Sequence, residues 1–392
     1  MARYPTHICH LPIRLVTIAG VFILTVAAYI LLAVDIDIDS SKSRLRNWSS
    51  GTGSSTKDPI LHLVLPLNKA AHGARSCMVF ASALVNGYNP LVINWDDDHG
   101  GNAGMRQIAK VHGMLDFLHR DDSSFFKTDD DLVMMVDAFD AWFQLPPSAI
   151  ISRYREVGKD IVVGVDMGCW PNWKETPACT DVPESTLPMG TFGMKDGKEI
   201  ISRPKHANSG LVMAPRARLR QFYEEIDHAF ELPRSDIAIS DQGPFNDFLH
   251  EGKLALDYSY RLIWNNAWNI DSGIPMNVGN PAVAGLDPTK PDTNLIPWHL
   301  LPTLIWHSHT GEIPVIVHFN QYNAKGMMEE WWEAGKPWYA SKDSRFSRRV
   351  VERLSSEDAV ITMVHDGSKH RFFDLCPPTM LDLPIVEDGT GL

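Results

Sequence analysis

The sequence predicts an α/β protein with a mainly parallel central sheet flanked by helices, preceded by one transmembrane helix. Three observations predict it. Short apolar runs alternate with stretches of helical spacing, the pattern of a parallel sheet covered on both faces. Two of these runs, Leu132–Val136 and Ile161–Val165, each stop at an aspartate, Asp137 and Asp166. Near the N-terminus, residues 15–34 carry no charge at all.

Composition fits this class. The chain has 392 residues, 44% of them hydrophobic and 21% charged, the profile of a globular protein rather than a disordered one. Lys and Arg number 36 against 48 Asp and Glu, a formal charge of -12 that argues against a nucleic-acid partner and is compatible with cation binding. Twelve tryptophans supply flat surfaces for packing or for sugar faces.

Leu15–Val34 is long enough to span a hydrocarbon core of ~30 Å at ~1.5 Å per residue. A signal-peptide core would be shorter and followed by a cleavage site; the bland alternative is a buried helix of the body. We read 1–14 as a short cytosolic tail, 15–34 as a signal anchor and 35–58, rich in Ser, Gly and Lys, as a lumenal stem. Asn47-Trp48-Ser49 in that stem is a glycosylation acceptor. Acidic residues dilute the flanking charge, so orientation rests on the stem and the acceptor. Cys169 and Cys179 lie in a Pro-rich stretch and either close a small loop or are two separate buried thiols; the pairing is the expectation to test. Cys77 and Cys376 have no obvious partner.

In the body, strands are expected at 60–65 (ended by Pro66), 91–95, 132–136, 161–165, 211–213 and 314–318, and helices at 76–84, 103–119, 215–230, 241–251 and 327–340. A basic helix, 347–354, is followed by a tail containing Pro and Asp. In such sheets ligands bind beyond the carboxyl ends of the strands. Asp137-Ala138-Phe139-Asp140 therefore puts two carboxylates, three residues apart, where a site belongs. Hard cations such as Mn²⁺ take carboxylate and phosphate oxygens. The competing reading is an Asp that caps the next helix. His318, at the end of an apolar run, becomes a plausible third ligand beside them. Asp96-Asp97-Asp98 is a rival metal site, ranked lower because adjacent Asp in a Gly-rich loop are usually just solvated.

Several segments in order resemble the glycosyltransferase domain of the procollagen lysyl hydroxylase/glycosyltransferase (PLOD-like) family, which has a GT-A type nucleotide-sugar-binding fold. They are Val136-Asp137-Ala138-Phe139-Asp140, Cys169-Trp170-Pro171, Asn208-Ser209-Gly210, Asp241-Gln242 and Pro314-Val315-Ile316-Val317-His318. The resemblance covers roughly 58–335, so 59–335 reads as the glycosyltransferase domain and 336–392 as a C-terminal extension with no hydroxylase signature. It implies a UDP-sugar donor and Mn²⁺ held by Asp137, Asp140 and His318. It also implies that Phe139 lies against the uracil, with Leu65, Pro66 and Asp137 beside the nucleotide.

Asp241, Asp166, Asn208 and Trp170 are the candidate catalytic residues in that setting. Asp241 would act on the acceptor or stabilise an oxocarbenium-like centre; its bland reading is a helix N-cap. Asp166 would reach sugar hydroxyls or the acceptor, or merely form a turn. Asn208 would bond the donor sugar, or mark a plain turn, and Trp170 would close over the donor or anchor a loop. The family's acidic run is reduced here to Ser240-Asp241-Gln242, and Gly104 stands where a basic residue is expected, with Arg106 and Lys110 nearby. The expected activity is transfer of a hexose from a UDP-sugar to a hydroxyl on a protein or glycan acceptor, in the Golgi or endoplasmic reticulum membrane, single-pass type II. The alternatives are a catalytically silent relative that binds a glycan or protein partner, and a metal-dependent phosphodiesterase-type hydrolase.

Overall fold

The structure is a computed structural model that describes residues 59–97, 103–121, 123–231, 240–265, 273–276, 304–320, 322–342 and 344–381. The tail, the anchor 15–34 and the stem lie outside the described residues. Among those described, no helix is long and apolar enough to cross a membrane.

From the N-terminal side come β1 (Leu61–Pro66), α1 (Ala74–Val85), β2 (Pro90–Ile93), α2 (Ala103–Leu118), β3 (Leu132–Val136), β4 (Ala141–Phe143), α3 (Pro147–Val157) and β5 (Val162–Asp166). A disulfide-closed loop containing the short α4 (Pro177–Thr180) and a small hairpin, β6 (Met194–Lys195) and β7 (Lys198–Glu199), lead to β8 (His206–Pro215). Then follow α5 (Arg216–Glu231), α6 (Gln242–His250), β9 (Ala255–Leu256), β10 (Ile263–Asn265), β11 (Gly273–Met276), β12 (Leu304–His307), β13 (Ile316–His318) and α7 (Tyr322–Glu333). The chain continues through α8 (Ser344–Leu354), β14 (Val360–Met363), β15 (Lys369–Arg371) and α9 (Phe372–Leu375).

Eight strands form one sheet in the order β15-β14-β2-β1-β3-β8-β5-β9. It is a mixed sheet: β8 runs antiparallel to both β3 and β5, and β15 antiparallel to β14, while the remaining pairs are parallel. β3 is apolar at every position and buried throughout, as a central strand covered on both faces must be. α1 is almost wholly buried, consistent with its run of Cys, Met, Val, Phe, Ala and Leu, whereas α5 buries one stripe through Leu219, Phe222, Tyr223 and Ile226. α3 starts on Pro147 and stops at Gly158, whose φ of 69° is the left-handed stop that glycine adopts freely.

Three sequence expectations change here. The strand expected at 211–213 is the ten-residue β8, because its first residues, His206–Asn208, also pair with β5. Along β8 the register jumps: Val163 faces Val212 but the next residue, Gly164, faces Asn208. Ser209, Gly210 and Leu211 therefore have no partner on β5, although Leu211 stays paired with Val136 of β3; such irregularities re-aim side chains. β13, expected in the main sheet, belongs instead to a three-stranded sheet, β10-β13-β4. The tail after 354 is structured: β14 extends the main sheet beside β2, and Cys376 is bonded to Cys77 of α1, with Cα atoms 5.6 Å apart. Cys169 and Cys179 also form a disulfide, with the same 5.6 Å separation.

Candidate functional site

The small sheet builds the site. β4 starts directly after Asp140, and in its antiparallel pairing with β13 the residue opposite Ala141 is His318. The Phe319 amide donates to the Asp140 carbonyl at 2.7 Å and locks that register. On the main sheet the Asp137 amide donates to the carbonyl of Gly210 at 3.1 Å. The result is that ligand atoms of Asp137, Asp140 and His318 all lie within 4.8 Å of one another. Nε2 of His318 is 3.2 Å from Asp140 Oδ1 and 3.6 Å from Asp137 Oδ2.

Each carboxylate is divided. Asp137 gives Oδ1 to the ammonium of Lys110 at 3.1 Å, and Asp140 gives Oδ2 to that of Lys325 at 2.8 Å. The other oxygen of each faces the histidine. His318 Nδ1 sits 2.7 Å from Asn265 Oδ1, which itself is fixed by Asn265 Nδ2 donating to the Val165 carbonyl at 2.7 Å. The contact at Nδ1 turns Nε2 toward the two free oxygens, where it is buried and makes no well-aligned hydrogen bond. Two carboxylate oxygens and an imidazole nitrogen turned toward one another are a donor set that fits a divalent cation.

Gly210 makes room for this ring. A Cβ at that position would stand 2.2 Å from His318 Cε1 and 2.5 Å from Nδ1, so no larger residue fits. Electrostatics bind the cluster together. Burial alone would raise the Asp140 pKa, but His318 and Lys325 hold it down at about 2. Burial would lower His318, and the two carboxylates raise it instead. Lys110 is buried, yet Asp137 and Asp241 on either side keep its pKa above the ordinary value and the ammonium charged.

The other predicted residues divide into near and far. Asp241 is buried at the head of α6 with its carboxylate on Lys110, so it joins the cluster through that lysine; it makes no side-chain cap of the helix. Asp166 and Asn208 form a pair, Nδ2 donating to Oδ2 at 3.1 Å, with Asn320 Nδ2 also donating to Oδ2 at 3.4 Å. Asn208 Oδ1 accepts from the Gly210 amide at 2.8 Å, so this pair sits behind the His318 ring. Trp170 is 55% exposed, and its carbonyl accepts from Gln242 Nε2 at 2.8 Å. Pro66 and Phe139 line the cleft described next, whereas the Leu65 side chain is buried in the core because it points into the sheet's apolar packing; its assignment beside the nucleotide is corrected. Of the rival acidic run, Asp96 lies 2.8 Å from His365 and Asp97 accepts from Asn94 at 2.7 Å; Asp98 is outside the described residues.

A cleft of about 270 Å³ opens on the cluster, walled by residues that include Pro66, Asn68, Asn94, Lys110, Phe139 and Lys325. A larger groove of about 840 Å³ between α5, α6 and the Cys169–Cys179 loop contains no member of the cluster, and its Lys253 is already paired to Glu225 and Glu251. We therefore place the site in the smaller cleft. Lys325, Asn265 and the steric role of Gly210 were not foreseen. Nothing in the sequence separates Lys325 from an ordinary surface lysine, and Asn265 matters only through a register that tertiary pairing creates. No protein-family model matches the sequence, and no curated protein matches it significantly.

Proposed function

We propose that the chain is a metal-dependent glycosyltransferase of the GT-A type, moving a hexose from a UDP-sugar to a hydroxyl on a protein or glycan acceptor. In this reading it acts from a single-pass, type II position in the Golgi or endoplasmic reticulum membrane. The observation that carries it is the meeting of Asp137, Asp140 and the buried His318 beside a cleft whose wall also presents Phe139 and two lysines.

Asp137, Asp140 and His318 would hold Mn²⁺. When bound, the ion supplies Lewis-acid stabilisation of the negative charge on the departing diphosphate. Lys110 and Lys325, fixed on the same carboxylates, place two further positive charges on the cleft wall, where that charge develops. Phe139 offers a flat apolar face for the uracil. Asp166 and Asn208 are buried and paired behind the His318 ring, outside the cleft wall, and Asp241 holds Lys110 from behind.

A second reading draws on the lysines themselves. Together with His318 they offset the charge of Asp137, Asp140 and Asp241 without an ion, as in a silent relative that only binds a glycan or partner. UDP release from a panel of UDP-sugars, with Mn²⁺ and with EDTA, separates the readings. Mn²⁺-dependent release from one donor is the expected result, and Phe139→Ala should raise the KM of that donor more than it lowers turnover. A wild type that binds a UDP-sugar and turns none over is the silent relative.

A further inference from the structure

Phe139 stands between the two acidic members of the cluster and is 37% exposed. One face of its ring is covered. The Arg75 guanidinium lies over it, 5.5 Å from the ring centroid. Arg75 is in turn fixed by its Nε donating to Glu329 Oε1 at 2.8 Å. Neither Arg75 nor Glu329 belongs to the wall of the cleft, although Phe139, Asp140 and Lys325 do. The guanidinium thus backs the ring from outside the cleft and leaves its cleft side to a ligand. Glu329 and Lys325 are four residues apart on α7, on one helix face. That face therefore holds Asp140 through Lys325 and the ring of Phe139 through Glu329 and Arg75.

A phenylalanine has no hydroxyl with which to hydrogen-bond its ring in place. A cation on one face supplies the missing restraint, because the ring quadrupole attracts it most strongly when the charge sits over the ring. A planar base on the other face then meets a platform already in its bound orientation and loses less freedom on binding.

We propose that Arg75, held by Glu329, is a positioning residue that orients Phe139 for stacking of the donor's base. This rests on reading the cleft as a nucleotide site. The chemistry recognised is a flat heteroaromatic ring joined to a metal-bound diphosphate, so base and diphosphate can be probed separately.

The test titrates the full chain, loaded with Mn²⁺, with UDP and with inorganic pyrophosphate, which has no base. Arg75→Met keeps the length of the side chain and removes its charge. The expected result is a roughly two- to five-fold loss of UDP affinity, the scale of a partly exposed cation–ring contact, with pyrophosphate affinity unchanged. Arg75→Lys should restore most of the loss, and in a Phe139→Ala background Arg75→Met should have no further effect. With the preferred donor, KM should rise and kcat stay constant. Unchanged UDP affinity in Arg75→Met, or equal losses for UDP and pyrophosphate, would overturn the proposal while leaving the nucleotide reading intact. If Phe139→Ala fails to separate UDP from pyrophosphate, base stacking itself is wrong and the role of Arg75 goes with it. A wild type that binds pyrophosphate but not UDP removes the nucleotide reading.

Discussion

Buried charge gathers at both ends of the central sheet, and the two ends treat it differently. Where β3 begins, Asp131 accepts from the amides of Lys127 at 2.7 Å and Thr128 at 3.3 Å and from Thr128 Oγ1 at 3.2 Å. Arg216 nearby donates to the carbonyls of Leu118 and Arg120 and stacks on Phe126 at 4.2 Å. The hydrogen-bond donors to Asp131 come from the preceding turn, and His62 of β1 adds its Nε2 at 3.5 Å from Oδ2. Where β3 ends, Asp137 and Asp140 receive lysines from two distant helices, α2 and α7, and each keeps one oxygen turned to a histidine from a third segment. Buried charge alone marks neither end as functional. What distinguishes the second is that two carboxylates, a histidine and two lysines from four distant segments meet there and are set against a cleft.

The comparison predicts that losing a carboxylate costs different things at the two ends. The largest effect belongs to the cleft end. Asp140→Ala should lower Mn²⁺-dependent UDP release by roughly 100- to 1,000-fold, the range for removing a preorganised electrostatic group. A variant with normal release would break the comparison, because Asp140 would then be structural like Asp131.

Asp131→Ala should do the reverse. It strands the donors of Lys127 and Thr128 and should cost about 1–3 kcal/mol in denaturant unfolding, with Mn²⁺ affinity unaltered. This contribution has a pH window. Burial would raise the Asp131 pKa, but the hydrogen bonds it accepts bring it below the ordinary carboxylate value. Its folded pKa thus lies below its unfolded one, so its stabilisation is present above roughly pH 4. It is lost as the pH falls through the folded value, and wild type and Asp131→Ala should converge there. Stability curves that stay parallel down to the acid limit would refute this.

Gly210→Ala sharpens the contrast with the smallest change. The added methyl occupies the space of the His318 ring, 2.2 Å from Cε1, and comes within 2.8 Å of Asn208 Oδ1. It should weaken Mn²⁺ by roughly 10- to 100-fold, as loss of ligand orientation does, measured by direct metal titration. Retained Mn²⁺ affinity would mean that the imidazole is not a ligand.

The elements with strong local signals were legible. Leu132–Val136 is the strand its apolar run announces, and α2 ends one residue before the expected position, because an apolar period specifies an element before any tertiary contact forms. The pair Asp137 and Asp140 was legible for the same reason: a strand end fixes where the next few side chains can stand. Cys169 and Cys179 were legible as a pair because a short loop holds them close.

Contacts between distant segments were not. Cys77 and Cys376 are separated by 299 residues, and only the placement of β14 beside β2 brings α9 back to α1. The polar half of β8 has no strand signal of its own, and the pairing with β5 made it one. By itself, the sequence determined which strands end in candidate ligands and which residue types could hold a cation. The tertiary structure decided that His318 arrives through a second sheet, that Gly210 clears its space, and that Lys110 and Lys325 take one oxygen from each carboxylate. The physical reason is that an element's period is written in neighbouring residues, whereas the partner of a charge is set by which elements pack together, and no local pattern records that packing.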